Sequence, residues 1–338
     1  MSLIKYVIKR IITMIPVLAG VLIVTFFLSR EIPGDPVVAF LRGNTNAETY
    51  YFYYRQLWLD RPLIIQFYKY IIDIFSGNWG YSVSIVMGKD VWSLIMLRLP
   101  RTIDIAIFSI LIAGFLGIKT GVISAAHRNK PKDTILRGIA LIGVSIPVFY
   151  LGLLLQYTLA YVIPIFPAVG FKNLAYRDPE FITGFRIIDA LISGELYLII
   201  DYFYHLVLPV FCLSFVNLAG ITRHTRSSML EVLEQDFIRT ARAKGCKEKE
   251  VINVHALKNS LIPTTTVIGL NFASLLGGSV LTEYTFGLKG IGQLLISAIL
   301  QNDYWVINAI IFVIAIFFVC INLVVDISYG IFDPRIRY

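Results

Sequence analysis

The sequence predicts an all-α polytopic membrane protein with about six transmembrane helices. Three observations carry that expectation. Of the 338 residues, 57% are hydrophobic and only 15% charged, whereas a water-facing domain carries about 25% charged residues. Six apolar stretches reach the roughly 20 residues that a helix needs to cross a hydrocarbon core about 30 Å thick. Lysine and arginine are concentrated in alternate connections between those stretches, as the topology rule for membrane proteins requires.

The stretches run over 11–28, 103–124, 135–163, 206–222, 263–281 and 305–329. Lys5, Lys9 and Arg10 precede the first, as in a signal peptide, but no small-residue cleavage site follows, so an uncleaved helix is expected. The fourth is short and holds Pro209 and Asn217. The apolar segment 187–204 is interrupted by Asp189, Glu195 and Asp201, and is expected as a surface helix or loop rather than a seventh span. Within the third, Ser145-Ile146-Pro147 predicts a kink, because proline removes a helical hydrogen bond. Charges inside the spans are Asp104, Lys119 and Asp326; at bilayer depth each needs a partner or a cavity. Asp104 and Asp326 lie near span ends, where headgroup or backbone contact is expected.

Orientation follows from the short connections. Seventeen Lys and Arg residues fall on the side of the N-terminus, among them Arg128, Arg137, Arg223, Arg226, Lys249, Arg335 and Arg337. The two later connections of the other side hold Lys172, Arg177, Arg186 and Lys289. Both termini are therefore expected in the cytoplasm. The organisation that results is 1–28 as N-terminus and first helix, 29–101 as an extracytoplasmic segment, and 102–338 as a core of five further helices. The extracytoplasmic segment is predicted to hold an amphipathic helix over 49–55 and a turn over 76–80. The core includes a cytoplasmic loop at about 223–262, charged and helical in pattern, with Gly245 as a helix stop.

The search for chemistry excludes more than it finds. No G-x-x-x-x-G-K-[ST] run is present, so the chain is not its own P-loop ATPase. Gly287, Gly290 and Gly292 read as a turn into a helix. His127, His205, His224 and His255 are scattered, and Cys212, Cys246 and Cys320 lie far apart, which excludes a metal-site or disulfide spacing. The positive charge sits between apolar runs rather than on one basic face, so no nucleic-acid partner is expected; membrane lipid is. The chain is not expected to be catalytic or to bind a cofactor. An intramembrane enzyme would need a nucleophile and base, or a metal triad, inside the spans. A secondary transporter or channel would show paired inverted halves with matching broken segments.

The loop narrows the choice. It reads Arg239-Thr240-Ala241-Arg242-Ala243-Lys244-Gly245, followed by His255-Ala256-Leu257-Lys258-Asn259. This resembles the EAA loop of ABC importer permeases, whose short helix docks into a groove of the ATPase subunit. The general pattern has Glu at Arg239, Ala at Thr240, Ile at His255 and Pro at Lys258; the form found here is similar to that of the dipeptide/oligopeptide permease branch. Other pieces fall into register with that branch: Ile32-Pro33-Gly34-Asp35-Pro36, Arg98-Leu99-Pro100, Ser145-Ile146-Pro147, Asn322-Leu323-Val324-Val325-Asp326 and Asp333-Pro334-Arg335-Ile336-Arg337. The resemblance covers nearly the whole chain except an insertion over 170–204, and it implies the type I ABC importer permease fold. It also implies one of two permeases in a heterodimer, two ATP-binding subunits that hold ATP and Mg, and an external substrate-binding protein. The substrates implied are di- or oligopeptides, with oligosaccharides or nickel as alternatives in the same branch.

Two sets of site residues are then expected. Arg239, Thr240, Ala241, Arg242, Ala243, Lys244, Gly245, His255 and Leu257 would couple the ATPase to the membrane spans, with Ala241 buried at the subunit contact and Gly245 in a turn. Ser145, Pro147, Ser274, Gly277 and Gly278 would line a translocation path between this chain and its partner. The run 273–279 is rich in small residues, which lets helices approach and swing against one another, although the same residues suit static packing.

Overall fold

Apolar length determines where the long helices lie, and local chemistry sets their ends. The computed structural model describes residues 3–31, 35–41 and 46–332. The expected motif residues Ile32, Pro33 and Gly34 and the closing motif 333–337 lie outside them. The first apolar run forms α1 (Leu3–Glu31). Short helices α2 (Pro36–Leu41), α3 (Ala47–Gln56) and α4 (Leu63–Phe75) follow. α3 contains the expected amphipathic helix, and none of its residues is buried. The turn at 76–80 is present, with Gly77 and Gly80 in the left-handed region at φ 81° and 78°.

α5 (Val91–Ala126) is 36 residues long and begins well before the second apolar run. Asp90 starts it: the Asp90 carboxylate accepts the backbone N–H of Ser93 at 2.8 Å, an N-cap. Residues 91–101, expected in the extracytoplasmic segment, are thus continuous with the second span.

The third span departs furthest from expectation. It is two helices, α6 (Pro131–Ser145) and α7 (Val148–Gln156), the latter extended by a π-helical turn, Tyr157–Val162. They meet at 97°. Proline forces the residue before it out of the helical region, and Ile146 accordingly sits at φ −87°, ψ 124°. Pro147 is extended as well, at ψ 131°. Two consecutive non-helical residues make a corner where one would make a kink.

Segment 187–204 is divided. Its first part is α8 (Arg186–Ile192), and the rest belongs to α9 (Leu196–Leu233), which at 38 residues is far longer than the short fourth run suggested. Asp201 does not break α9 because it has partners: its carboxylate accepts the N–H of Asn173 at 3.0 Å and lies 3.4 Å from Nδ1 of His205. After α9 come α10 (Asp236–Ala243), α11 (Glu248–Glu250) and a π turn, Val251–Ala256, leading into α12 (Leu257–Gly278). Most of the expected loop 223–262 is therefore helix, supplied by the ends of α9 and α12 with α10 between them. α13 (Val280–Phe286), α14 (Ile291–Leu300) and α15 (Tyr304–Phe332) complete the chain.

α5 and α9 form the centre. Their approach depends on glycine: a Cβ on Gly117 would meet Ile221 at 2.7 Å, and one on Gly121 would meet Thr225 at 2.5 Å. Around this pair, Ile105, Ile110, Tyr202, Leu206, Leu213 and Ile221 form a buried cluster that α12 and α13 close with Leu275, Leu276 and Phe286. α1 lies along α15, where Arg10 pairs with Asp326 at 3.0 Å. Buried Asp104 accepts the hydroxyl of Tyr202 at 3.0 Å. Both carboxylates thus have side-chain partners in the protein, rather than the headgroup or backbone contacts expected. A side-chain partner for each offsets part of the penalty of holding charge at membrane depth.

The segment before α5 is fastened to the start of α15. Buried Asp303 accepts the Ser82 hydroxyl at 2.6 Å and the N–H groups of Val83 and Ser84 at 3.0 and 3.1 Å. A Cβ on Gly80 would collide with the Trp305 indole at 2.0 Å, so only glycine fits there.

Candidate coupling helix and translocation face

α10 is short, and its two faces have different surroundings. Ile238 and Ala241 point inward and join Val251, Ala256, Met229, Val232, Val122 and Ala125 in one buried cluster. That cluster unites the ends of α5, α9 and α12 through α10. Arg239, Thr240, Arg242, Ala243 and Lys244 are exposed. The expectation that Ala241 is buried at a subunit contact is therefore corrected: it is buried against its own chain, and Ala243 is the small residue on the open face. Helical spacing is the reason, since residues 238 and 241 share one face.

Gly245 ends α10 as a left-handed residue at φ 82°. The N–H of Lys244 returns to Thr240 O at 3.0 Å, and that of Cys246 to Ala241 O at 3.2 Å, so the last carbonyls of the helix are satisfied. Arg242 crosses the turn to Glu248 in a two-pronged pair of 3.1 and 2.7 Å. Hydrogen bonding to Glu248 raises the Arg242 guanidinium above its ordinary value, so it stays charged. An exposed pair of this kind stabilises little; it orients the turn. His255 and Leu257 are half-buried below it, and Asn259 donates to His255 O at 2.8 Å.

A second feature is the face of α12. Pro263, Leu270, Ser274 and Gly277 are exposed at helical spacing, and Leu281 continues the stripe. An added Cβ at Gly278 meets nothing within 4 Å, and at Gly277 only Ile314, at 3.3 Å. Gly278 therefore serves no packing inside this chain, whereas Gly277 lets Ile314 of α15 approach closely. Ser145 and Pro147 are exposed as well, at the corner between α6 and α7.

Sequence reasoning missed the group that holds the far end of α12. Glu283, fully buried, accepts the Thr102 hydroxyl at 2.6 Å and the Ser279 hydroxyl at 3.1 Å on one oxygen. Its other oxygen accepts the N–H groups of Gly292 and Gln293 at 2.8 and 3.2 Å. The N–H of Ile291 goes to Thr102 Oγ1 at 3.0 Å. Together these satisfy the first three donors of α14, which a helix start leaves without partners. A Cβ on Gly290 or Gly292 would lie 2.3 or 3.0 Å from the Glu283 carboxylate. The turn read as featureless is thus a socket for a carboxylate. Its signal was Glu283 itself, a charge at the edge of an apolar run.

The chain matches, over residues 117–338, the family model described as binding-protein-dependent transport system inner membrane component. Residues 3–106 match the N-terminal model of the membrane component of such systems. The chain belongs to this family. The two matches divide within α5, so that one helix joins both regions. Relatives of this inner membrane component include the dipeptide transport system permease protein DppB of Alkalihalophilus pseudofirmus, 40% identical over 99% of this chain and 100% of the relative. Dipeptide transport system permease protein DppB of Escherichia coli is 36% identical, covering 99% of each. Oligopeptide transport system permease protein AppB of Bacillus subtilis is 36% identical, covering 98% of this chain and 99% of that one. Among solved structures, the inward-facing MetNI methionine ABC transporter aligns with a TM-score of 0.54 at 14% identity, covering 72% of this chain and 97% of that chain. That likeness is one of fold, and the fold is that of the type I ABC importer permease. The inner membrane component is accordingly a multi-pass membrane protein and a part of a binding-protein-dependent transport system.

Proposed function

We propose that this chain is one of two permease subunits of an ATP-driven importer that moves di- or oligopeptides across the cell membrane. The observation that carries the reading is identity of 36–40%, over nearly the full length of both chains, with relatives named for dipeptide and oligopeptide transport. In this reading α10 presents Arg239, Thr240, Arg242, Ala243 and Lys244 to an ATP-binding subunit. The cluster beneath it passes motion to α5, α9 and α12. The open stripe of α12, with Ser274, Gly277 and Gly278, forms half of the path, and the second permease forms the other half across from it; Ser145 and Pro147 stand at the corner of α6 and α7. ATP and Mg bind in the partner subunits, and an external binding protein delivers the peptide.

Reconstitution with the ATP-binding subunits, the second permease and the binding protein tests this directly. Labelled dipeptide should accumulate in an ATP-dependent way. Ser274→Trp or Gly278→Trp should abolish accumulation while the complex still assembles, because neither position is packed within the chain. Assembly lost before transport would assign the stripe to static packing.

The topology in this reading puts both termini and α10 in the cytoplasm, and the segment between α1 and α5 outside, on the strength of the lysine and arginine distribution. A cysteine at Asn78 should react with an impermeant maleimide from outside intact cells, and one at Lys249 only after permeabilisation. The opposite result at either site would invert the arrangement.

A further inference from the structure

A groove runs between α6 and α9 at the end of the bundle that carries α10. Two contacts fix its walls. Gly143 of α6 abuts α9, where an added Cβ would meet Ala219 at 3.0 Å and Phe215 O at 3.2 Å. Nearer the α10 end, Asp133 accepts Nε and Nη2 of Arg226, both at 2.8 Å. These two contacts place the helices antiparallel. They leave between them a cavity of about 610 Å³.

The chemistry of the cavity changes along its length. Ala140, Leu141 and Val144 of α6, with Ala219 of α9, make the part farther from α10 apolar, and Leu141 and Val144 are exposed there. Arg137 and Arg223 stand at the part nearer α10, together with the paired Arg226. Arg137 and Val144 are about 10 Å apart along α6 at 1.5 Å per residue. Both Arg137 and Arg223 are exposed, and neither makes a hydrogen bond or ion pair among the described residues. Asp133, at the α10 end of the groove, is buried, and Arg226 and the Ser124 hydroxyl occupy its carboxylate. The groove therefore carries the net charge of two free guanidinium groups above an apolar slot. A soluble anion would use only the first part, and a neutral lipid only the second.

We propose that this groove binds one anionic phospholipid, its phosphate between Arg137 and Arg223 and an acyl chain along Leu141, Val144 and Ala219. The proposal rests on the topology above, which puts the α10 end in the cytoplasmic leaflet, where anionic lipids attract basic residues beside the membrane. Its role would be to brace α6 against α9, whose Met229 and Val232 lie in the cluster under α10.

The test is photo-crosslinking in the assembled importer, in nanodiscs of phosphatidylcholine doped with a photoactivatable phosphatidylglycerol or, separately, an equal amount of photoactivatable phosphatidylcholine. Phosphatidylglycerol should label peptides of α6 and α9 around 134–144 and 219–227, and phosphatidylcholine should not. Arg137→Gln with Arg223→Gln should reduce that labelling roughly tenfold. Lys247→Gln with Lys249→Gln, equally exposed but remote from the groove, should leave it unchanged. Val144→Trp, which fills the apolar slot and keeps both arginines, should reduce it as well. Equal labelling by the two lipids, or labelling that both groove variants leave intact, would overturn the proposal. So would crosslinks showing the groove filled by the second permease. Cysteine labelling at Lys249 reads the topology independently, so a wrong orientation and an empty groove are told apart.

Discussion

Glu283→Ala is expected to destabilise the chain by about 3 kcal/mol or more, seen as a lowered unfolding temperature of the complex in detergent. The substitution leaves the N–H groups of Gly292 and Gln293 and the proton of the Thr102 hydroxyl buried without an acceptor. Each such donor costs about 1–3 kcal/mol. Release of a buried carboxylate from a fully enclosed position offsets part of the sum. Glu283→Gln should fall between wild type and alanine. Its amide oxygen can take the two backbone donors, while its NH2 faces Thr102 and Ser279, whose hydroxyl oxygens can accept. The order wild type, glutamine, alanine is the signature of the socket. An alanine variant as stable as wild type would remove Glu283 from any role in holding α13 and α14 to α5.

The second large effect is expected at α10. Ala243→Glu places a charge on the face that is open in this chain, so the fold should persist while binding of the ATP-binding subunit or transport falls by roughly tenfold or more, about 1.4 kcal/mol at the contact. Ala241→Glu acts differently. Its side chain would enter the cluster of Ile238, Val251 and Ala256, where an unpaired charge is strongly unfavourable, so loss of folded chain should precede any functional readout. Gly245→Val should resemble Ala243→Glu in function, because a β-branched residue at φ 82° strains the turn and re-aims the helix. Subunit pull-down, peptide uptake and ATP hydrolysis, measured on the same preparations, separate these cases. If Ala243→Glu and Gly245→Val change none of the three, α10 is not the coupling helix.

Much of this arrangement was legible in the sequence. Apolar runs of span length predicted the long helices, because a bilayer admits few other backbones. Gly245 predicted the end of α10, because only a residue without a Cβ enters the left-handed region freely. Pro147 predicted an interruption of the third span, since a lost donor and a steric clash are local events. The ordered motifs from Arg98-Leu99-Pro100 to Asp326 pointed to the family as well.

What stayed hidden was every property that depends on residues far apart in the chain. Glu283 meets Thr102 across 181 positions, and Asp303 meets Ser82 across 221. Glu283 shows in the sequence only as a charge at the edge of an apolar run, and nothing beside either acidic residue names the distant groups it binds. Ala241 and Ala243 are chemically identical and two residues apart. An eight-residue helix contains too few turns for its apolar period to say which alanine faces its own chain. The 97° corner needed Pro147 as well as Ile146 to leave the helical region, and the local effect of proline on the residue before it accounts for Ile146 alone. Hydropathy, proline and glycine act over a few residues, so the membrane class, the family and the existence of α10 are readable along the chain. Burial and hydrogen-bond satisfaction are properties of the assembled packing, so which faces are open and which buried charges are partnered emerges with the fold.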